Sequence, residues 1–227
     1  MYNLELLMCS YIRGYIKENK INIDYNLINK QLNKLTNIEI TQLINIGKEY
    51  NLKLHYFKDK GILSRVKIVL GFLRNIQPST LLDIGTGRGV FLLPLLCEMP
   101  NINVTATDIL PHRIEFLTYL KEGGIPTLEV MNQNIVDYNY HENKYEVVTL
   151  LEVLEHIDQV DLAVKNAVKL SKKFIVLSVP SKEDDNPEHI HLLTREKLTT
   201  LFNNNNVTNL KFEYINGHLM MVARKEE

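Results

Sequence analysis

The chain has 227 residues, 45% hydrophobic and 23% charged, which is enough for one α/β domain plus an added segment and short for two full domains. A formal net charge of −1 excludes the strongly basic global field of a dedicated nucleic-acid binder. No apolar run approaches the roughly 18 residues that span a bilayer, and no basic-then-apolar stretch opens the chain, so a cytoplasmic protein is expected. The two cysteines, Cys9 and Cys97, are far apart and form no CxxC, which argues against a disulfide framework. Cys97, in the run Leu92–Leu96, reads as a buried core thiol. Charge is uneven: residues 1–75 carry +6 and residues 76–227 carry −7. That offset fits two surfaces with different tasks, and equally fits ordinary scatter of solvated charge.

Residues 1–60 read as helical. Leu27, Ile28, Leu32 and Leu35 recur at helical spacing, as do Ile40, Leu43, Ile44 and Ile46. Thr36, followed three residues later by Glu39, predicts a capped helix start. After Gly61, a helix from Leu63 to Leu73 presents Val66, Val69, Leu70 and Leu73 on one face, and Pro78 closes the stretch. From residue 80 the rhythm changes. Thr80–Ile84 is a short apolar run that stops at glycines, as a buried parallel strand does. Val90–Met99 follows as a helix whose start Pro94 should bend or shift. Val104–Thr107 is a second strand ending at Asp108. Arg113–Glu122 is a helix stopped by Gly123 and Gly124. Strands at Thr127–Met131, Val147–Leu151 and Phe174–Val179 follow, with a helix at Leu162–Leu170 before the last. This alternation predicts right-handed crossovers and a parallel sheet covered on both faces. A helix at Arg195–Phe202 then leads to Val207–Tyr214, Asn216-Gly217 and Leu219–Ala223, an antiparallel hairpin.

The loop Asp83-Ile84-Gly85-Thr86-Gly87-Arg88-Gly89 joins the first strand to the first helix of the alternating region. Its glycines let backbone turn sharply and approach a ligand where a β-carbon would collide. Asp108, at the end of the next strand, is placed to accept from both ribose hydroxyls of an adenosine. A dinucleotide site competes, but its GxGxxG spacing is missed by one residue, and Asp83 suits an ammonium group better than a pyrophosphate. A purely structural turn is the remaining alternative.

The strings LLDIGTGRGVFLLPLL, TATDI and LLEVLEHI resemble the class I S-adenosylmethionine (SAM)-dependent methyltransferases over about residues 62–224. The resemblance implies a Rossmann-like, seven-stranded, mainly parallel sheet with a C-terminal antiparallel hairpin, and SAM as cofactor. It implies that Gly85, Thr86, Gly87 and Gly89 hold the methionine part, that Asp83 faces its amino group, and that Asp108 binds the ribose. Ile109 then lies against the adenine, Asn134 beside Ile135 stands where the family often has an Asp near the adenine amino group, and Leu151 and Glu152 close the pocket floor. Residues 1–60 are expected to be a helical cap on the substrate side, and residues 61–227 the methyltransferase domain.

Two further clusters bear on the acceptor. In Glu152-x-x-Glu155-His156, helical geometry would put the carboxylates and imidazole on one face. The second, Pro187–Thr194, follows the fifth strand, and both lie beyond the carboxyl ends of the strands. A divalent metal site of Glu152, Glu155, His156 and His189 is one reading, and Mg²⁺, Mn²⁺, Co²⁺ or Zn²⁺ all suit such ligands. This spacing resembles small-RNA 3′-terminal ribose 2′-O-methyltransferases and quinone-pathway O-methyltransferases, with His189 a better match than His191. The other reading has Glu152, His156 and His189 acting without metal, as a general base and its supports, or as structure alone. His55, His112, His141 and His218 show no partner, His218 being simplest as a turn-flanking residue. Tyr50, Tyr56 and Phe57 line a substrate slot or pack a core, and Lys58, Lys60, Arg65 and Lys67 hold an anion or form a solvated face. Three functions stay open: an O-methyltransferase acting on a small-molecule hydroxyl, an RNA ribose 2′-O-methyltransferase, and a SAM-binding sensor or partner-dependent subunit without its own turnover.

Overall fold

The computed structural model describes residues 2–58, 61–137 and 144–226. Strands β1 (Thr80–Ile84), β2 (Asn103–Asp108), β3 (Leu128–Asn132), β4 (Tyr145–Leu151), β5 (Ser171–Pro180), β6 (Asn209–Ile215) and β7 (His218–Arg224) form one mixed sheet in the order β3-β2-β1-β4-β5-β7-β6. Leu81, Leu82, Val147, Val148, Ile175 and Leu177 are completely buried. This is the apolar run that a parallel strand needs when helices cover both faces. Only β7 breaks the parallel set, pairing antiparallel with both β5 and β6. Its turn is Asn216-Gly217, both with positive φ (42° and 85°), as the tightest hairpin turn requires. The expected sheet and closing hairpin are therefore present, with β1 as expected and no strand end moved by more than three residues.

The chain sorts into two compact units, Met1–Ile62 with Thr86–Asn132, and Leu63–Gly85 with Gln133–Glu227. In the first, α1 (Leu4–Glu18) packs mainly on α6 (Pro111–Glu122). The crossing is close because both helices use glycine: a β-carbon on Gly123 would collide with the Ser10 carbonyl oxygen, and one on Gly14 with that of Tyr119. Ser10 Oγ donates to the Leu120 carbonyl at 2.7 Å across the same contact. Helix α3 (Asn37–Glu49) starts with the expected capping box at Thr36 and Glu39, worth about 1 kcal/mol. The preceding periodic run is not one helix. It divides into α2 (Tyr25–Asn29) and a single 3-10 turn at Leu32–Lys34. The cause is tertiary: buried Arg13 on α1 takes the Lys30 carbonyl at 2.7 Å, so that residue turns extended and ends the helix. Pro94 shifts the next helix as expected. Helix α5 runs from Leu92 to Glu98, with the proline in its first turn, where no N–H is needed. Cys97, near the end of this short helix, is half-buried rather than a core thiol, whereas Cys9 is buried.

In the second unit, α4 (Ser64–Ile76) ends at Gln77, which takes a left-handed φ of 44° just before Pro78. Helices α7 (Val160–Leu170) and α8 (Arg195–Asn203) pack against strand residues in a core that includes Leu82, Val148, Leu177, Leu198 and Phe202. Residues 152–156 are not one helical face. The Glu152 N–H donates to the Ser178 carbonyl at 2.9 Å, prolonging the β4–β5 pairing, and Glu152 then turns the chain at φ 59°. Only Leu154–His156 coil, as a 3-10 turn.

Candidate functional site

In the second unit, β1 delivers Asp83, a buried carboxylate whose Oδ1 accepts from Thr149 Oγ1 at 2.7 Å. Gly85 follows at φ 66°, and a β-carbon there would lie 2.7 Å from Val153 Cγ2, so only glycine fits. Leu151 is the half-buried last residue of β4. Asn134 is exposed and its Oδ1 accepts from the Val136 N–H at 3.0 Å. Ile135 beside it is buried, its carbonyl held by Asn166 Nδ2 at 2.8 Å.

In the first unit, the Thr86 N–H donates to the Thr107 carbonyl at 2.9 Å, tying the glycine loop to β2. The Gly87 N–H donates to Asp108 Oδ2 at 2.9 Å, and the Leu110 N–H to Oδ1 at 3.0 Å. Both carboxylate oxygens are thereby oriented by backbone, with lone pairs left for a diol. Gly89 is at φ 77°, and Ile109 is 59% exposed, an apolar side chain open to a planar partner.

Beyond the ends of β4 and β5, Glu155, His156 and His189 present ligand atoms within 4.8 Å of one another. Glu155 is fully buried, and among the described residues neither carboxylate oxygen has a hydrogen-bond partner. Burial first, and the nearby Glu152 charge second, push its pKa up to about 8, although its own backbone N–H partly opposes them. His156 Nδ1 lies 2.9 Å from the Glu188 carbonyl, and His189 Nδ1 lies 2.8 Å from Asp184 Oδ1. A carbonyl and a carboxylate only accept, so each Nδ1 carries a proton, and in the neutral imidazole each Nε2 is left with a lone pair. Nitrogens held in this way are the usual outer support of metal-binding histidines.

Glu152 is not drawn into that group. Its Oε1 accepts from Ser178 Oγ at 2.6 Å, its Oε2 lies 2.9 Å from His218 Nδ1, and Arg65 Nε is 4.0 Å away. Arg65 Nη1 also meets His218 Nε2 at 3.3 Å. His218 and Arg65 thus have partners that the sequence did not disclose, because the hairpin carries one and α4 the other. Asp184 and Ser178 were missed as well. An acidic run at 183–185 was the only signal for Asp184, and nothing in the local pattern sets Ser178 apart from any other strand serine. His55 packs edge-on to Tyr56, and Phe57 is core. Lys58 and Lys67 are exposed, and Lys60 and His141 lie outside the described residues.

Residues 62–211 match the family model described as "Methyltransferase domain". The chain belongs to this family, the class I SAM-dependent methyltransferases. It is 33% identical over 104 residues to the ubiquinone biosynthesis O-methyltransferase of Rickettsia akari, covering 45% of this chain and 40% of that one. It is 31% identical over 144 residues to ribosomal RNA small subunit methyltransferase G of Streptococcus pyogenes (serotype M49), covering 62% and 58%. The chain therefore matches about half the length of these curated relatives. An O-methyltransferase family protein from Burkholderia thailandensis superposes over 94% of this chain and 70% of its own, with a TM-score of 0.60 and 13% identity, a likeness of fold.

Proposed function

We propose that the protein transfers the methyl group of SAM to a hydroxyl of a small molecule with neighbouring oxygens, assisted by a divalent cation. The observation that carries this reading is Glu155, a buried carboxylate with no hydrogen-bond partner among the described residues, its oxygens close to ligand nitrogens of two histidines. An unpaired buried carboxylate is costly, and a cation offsets the cost. The donor set of one carboxylate and two free imidazole nitrogens fits Mn²⁺, Co²⁺ or Zn²⁺, and Mg²⁺ less well. When bound, such a cation supplies Lewis acidity toward adjacent hydroxyl oxygens. Glu155, His156 and His189 hold it, while Glu152 positions the acceptor from its own network.

For SAM we assign Asp83 to the ammonium group and Gly85, Thr86, Gly87 and Gly89 to the methionine backbone. Asp108 takes the ribose hydroxyls, Ile109, Asn134 and Ile135 the adenine, and Leu151 the pocket floor. The sulfonium is already electrophilic, so the chain's task is to align the acceptor oxygen for in-line attack and to remove its proton. Without a cation, the Nε2 lone pair of His156 is the base for that proton. We assign residues 61–227 to the methyltransferase domain, on the family match beginning at residue 62, and residues 1–60 to a helical substrate-side segment that packs on α6 of that domain. No helix among the described residues is long and apolar enough to cross a membrane, and we place the protein in the cytoplasm.

A second reading is RNA ribose 2′-O-methylation, in which RNA as the substrate draws support from the likeness to the Streptococcus pyogenes ribosomal RNA methyltransferase and from the +6 charge of residues 1–75. It predicts activity that falls steeply with salt. Calorimetric titration of SAM and of Mn²⁺ into EDTA-stripped protein, wild type and His156→Ala, tests the proposal. SAM should bind both proteins, and Mn²⁺ only the wild type. SAM binding without Mn²⁺ binding removes the metal and leaves the single-base mechanism. Failure of SAM to bind overturns the whole reading, and SAM binding without turnover on any acceptor points to a sensor.

A further inference from the structure

Within the first unit, a cleft of about 170 Å³ opens between α1, the 3-10 turn Leu54–Phe57 and α6. None of the residues assigned to SAM or to the metal lines it. Its walls are rings: Tyr11 and Tyr15 from α1, Tyr56 from the turn, and Phe116 and Tyr119 from α6. These rings already brace one another, Tyr11 against Phe116 at 5.2 Å, Tyr56 edge-on to Phe116 at 5.5 Å, and Tyr15 edge-on to Tyr119 at 5.6 Å. Held this firmly, they form a pre-shaped slot, with little side-chain freedom left to lose on binding.

The rim is cationic. Lys53 and Arg113 line the cleft, and among the described residues neither side chain has an ion-pair partner. Arg88 adds a third positive charge, its guanidinium 5.9 Å over the Tyr56 ring. Among the described residues the one carboxylate in the lining is Glu115, which accepts from the Tyr119 hydroxyl at 2.8 Å. An engineered apolar cavity of about 150 Å³ takes a single benzene ring, which sets the scale of the occupant.

We propose that this cleft is a second small-molecule site, one that binds a single-ring aromatic anion with its ring among the tyrosines and its charge toward Lys53 and Arg113. The aromatic walls select a flat ring over a saturated one, and the cations select an acid over a neutral ring. The proposal is independent of the methyl acceptor and of the metal.

Benzoate is the probe, followed by saturation-transfer NMR on the full chain, with cyclohexanecarboxylate and benzyl alcohol as controls for flatness and charge. Benzoate should bind at about millimolar affinity, as befits so small a ligand, and both controls should bind at least about tenfold more weakly. Arg113→Gln and Lys53→Gln, which disturb no packing, should each weaken benzoate about tenfold, the loss of one charge-assisted contact. SAM affinity, measured on the same samples, should not change, so failure of this site is distinguishable from failure of the methyltransferase reading. The proposal is overturned if benzoate does not bind by about 10 mM, if cyclohexanecarboxylate binds as well as benzoate, or if both variants bind like the wild type. A uridylate oligomer that perturbs the tyrosine ring signals where benzoate does not would also overturn it, and would assign the cleft to nucleic acid.

Discussion

Glu152 and His218 meet end to end, Oε2 to Nδ1 at 2.9 Å, although one directly follows β4 and the other opens β7. Ser178 Oγ donates to the other oxygen at 2.6 Å. Glu152 also holds a left-handed φ of 59°, a conformation that costs about 1–3 kcal/mol and persists only where the surroundings impose it. Ser178→Ala should therefore lower stability to urea by about 1–3 kcal/mol, the worth of a part-buried hydrogen bond to a charged group. Unchanged stability would mean that this carboxylate is satisfied without Ser178.

Asp184 fixes His189 by its Nδ1 and leaves Nε2 free. Its contribution is to orientation and basicity, so Asp184→Ala should weaken Mn²⁺ binding by about 10–100-fold in calorimetry while the protein stays folded. Equal Mn²⁺ affinity in the two proteins would remove His189 from the ligand set.

Glu155 titrates near 8 in the folded protein because it is buried, against an ordinary value of 4.5. Between these values the folded state holds a proton that the unfolded chain has released. Its contribution to stability is thus complete below pH 4.5 and lost as pH rises through about 8. Urea unfolding of EDTA-treated protein should show a loss between about pH 4.5 and about pH 8 that Glu155→Gln abolishes, since the amide does not ionise. The same slope in both proteins would show that the carboxyl is solvated.

Gly123→Ala forces a methyl group onto the Ser10 carbonyl, which is backbone and has nowhere to turn. The α1–α6 crossing must open, at a cost of about 1–3 kcal/mol or more, visible as a lowered midpoint in thermal unfolding. A midpoint like that of the wild type would mean the helices separate freely.

Asp108→Ala removes the buried carboxylate held by the Gly87 and Leu110 N–H groups. SAM affinity should fall at least about tenfold by calorimetry, from loss of charged hydrogen bonds worth about 1.5–3 kcal/mol. An unaltered SAM affinity would move the ribose elsewhere.

The sheet was legible in the sequence because each buried strand needs a continuous apolar run and each crossover a helix, and both periodicities are local. The same holds for the α3 cap at Thr36 and for the hairpin at Asn216-Gly217. The run Leu27–Leu35 misled because its periodicity was right while the decisive contact, Arg13 on the Lys30 carbonyl, comes from a distant helix. Glu152 was misread for a related reason. Helical spacing would have placed it with Glu155, but pairing with Ser178 on β5 turned the backbone first.

What the sequence by itself determined is the order of elements and the glycine loop that follows Asp83, since periodicity and turn residues are local signals. The meeting of Glu155 and His156 with the distant His189, without Glu152, is tertiary. Only the tertiary structure decided that Glu152 belongs with Ser178, His218 and Arg65, that Asp184 orients His189, and that scattered tyrosines of residues 1–60 meet α6 around an open cleft. Side chains from separate elements are joined by packing and by hydrogen bonds across the fold, and no local pattern records such partners.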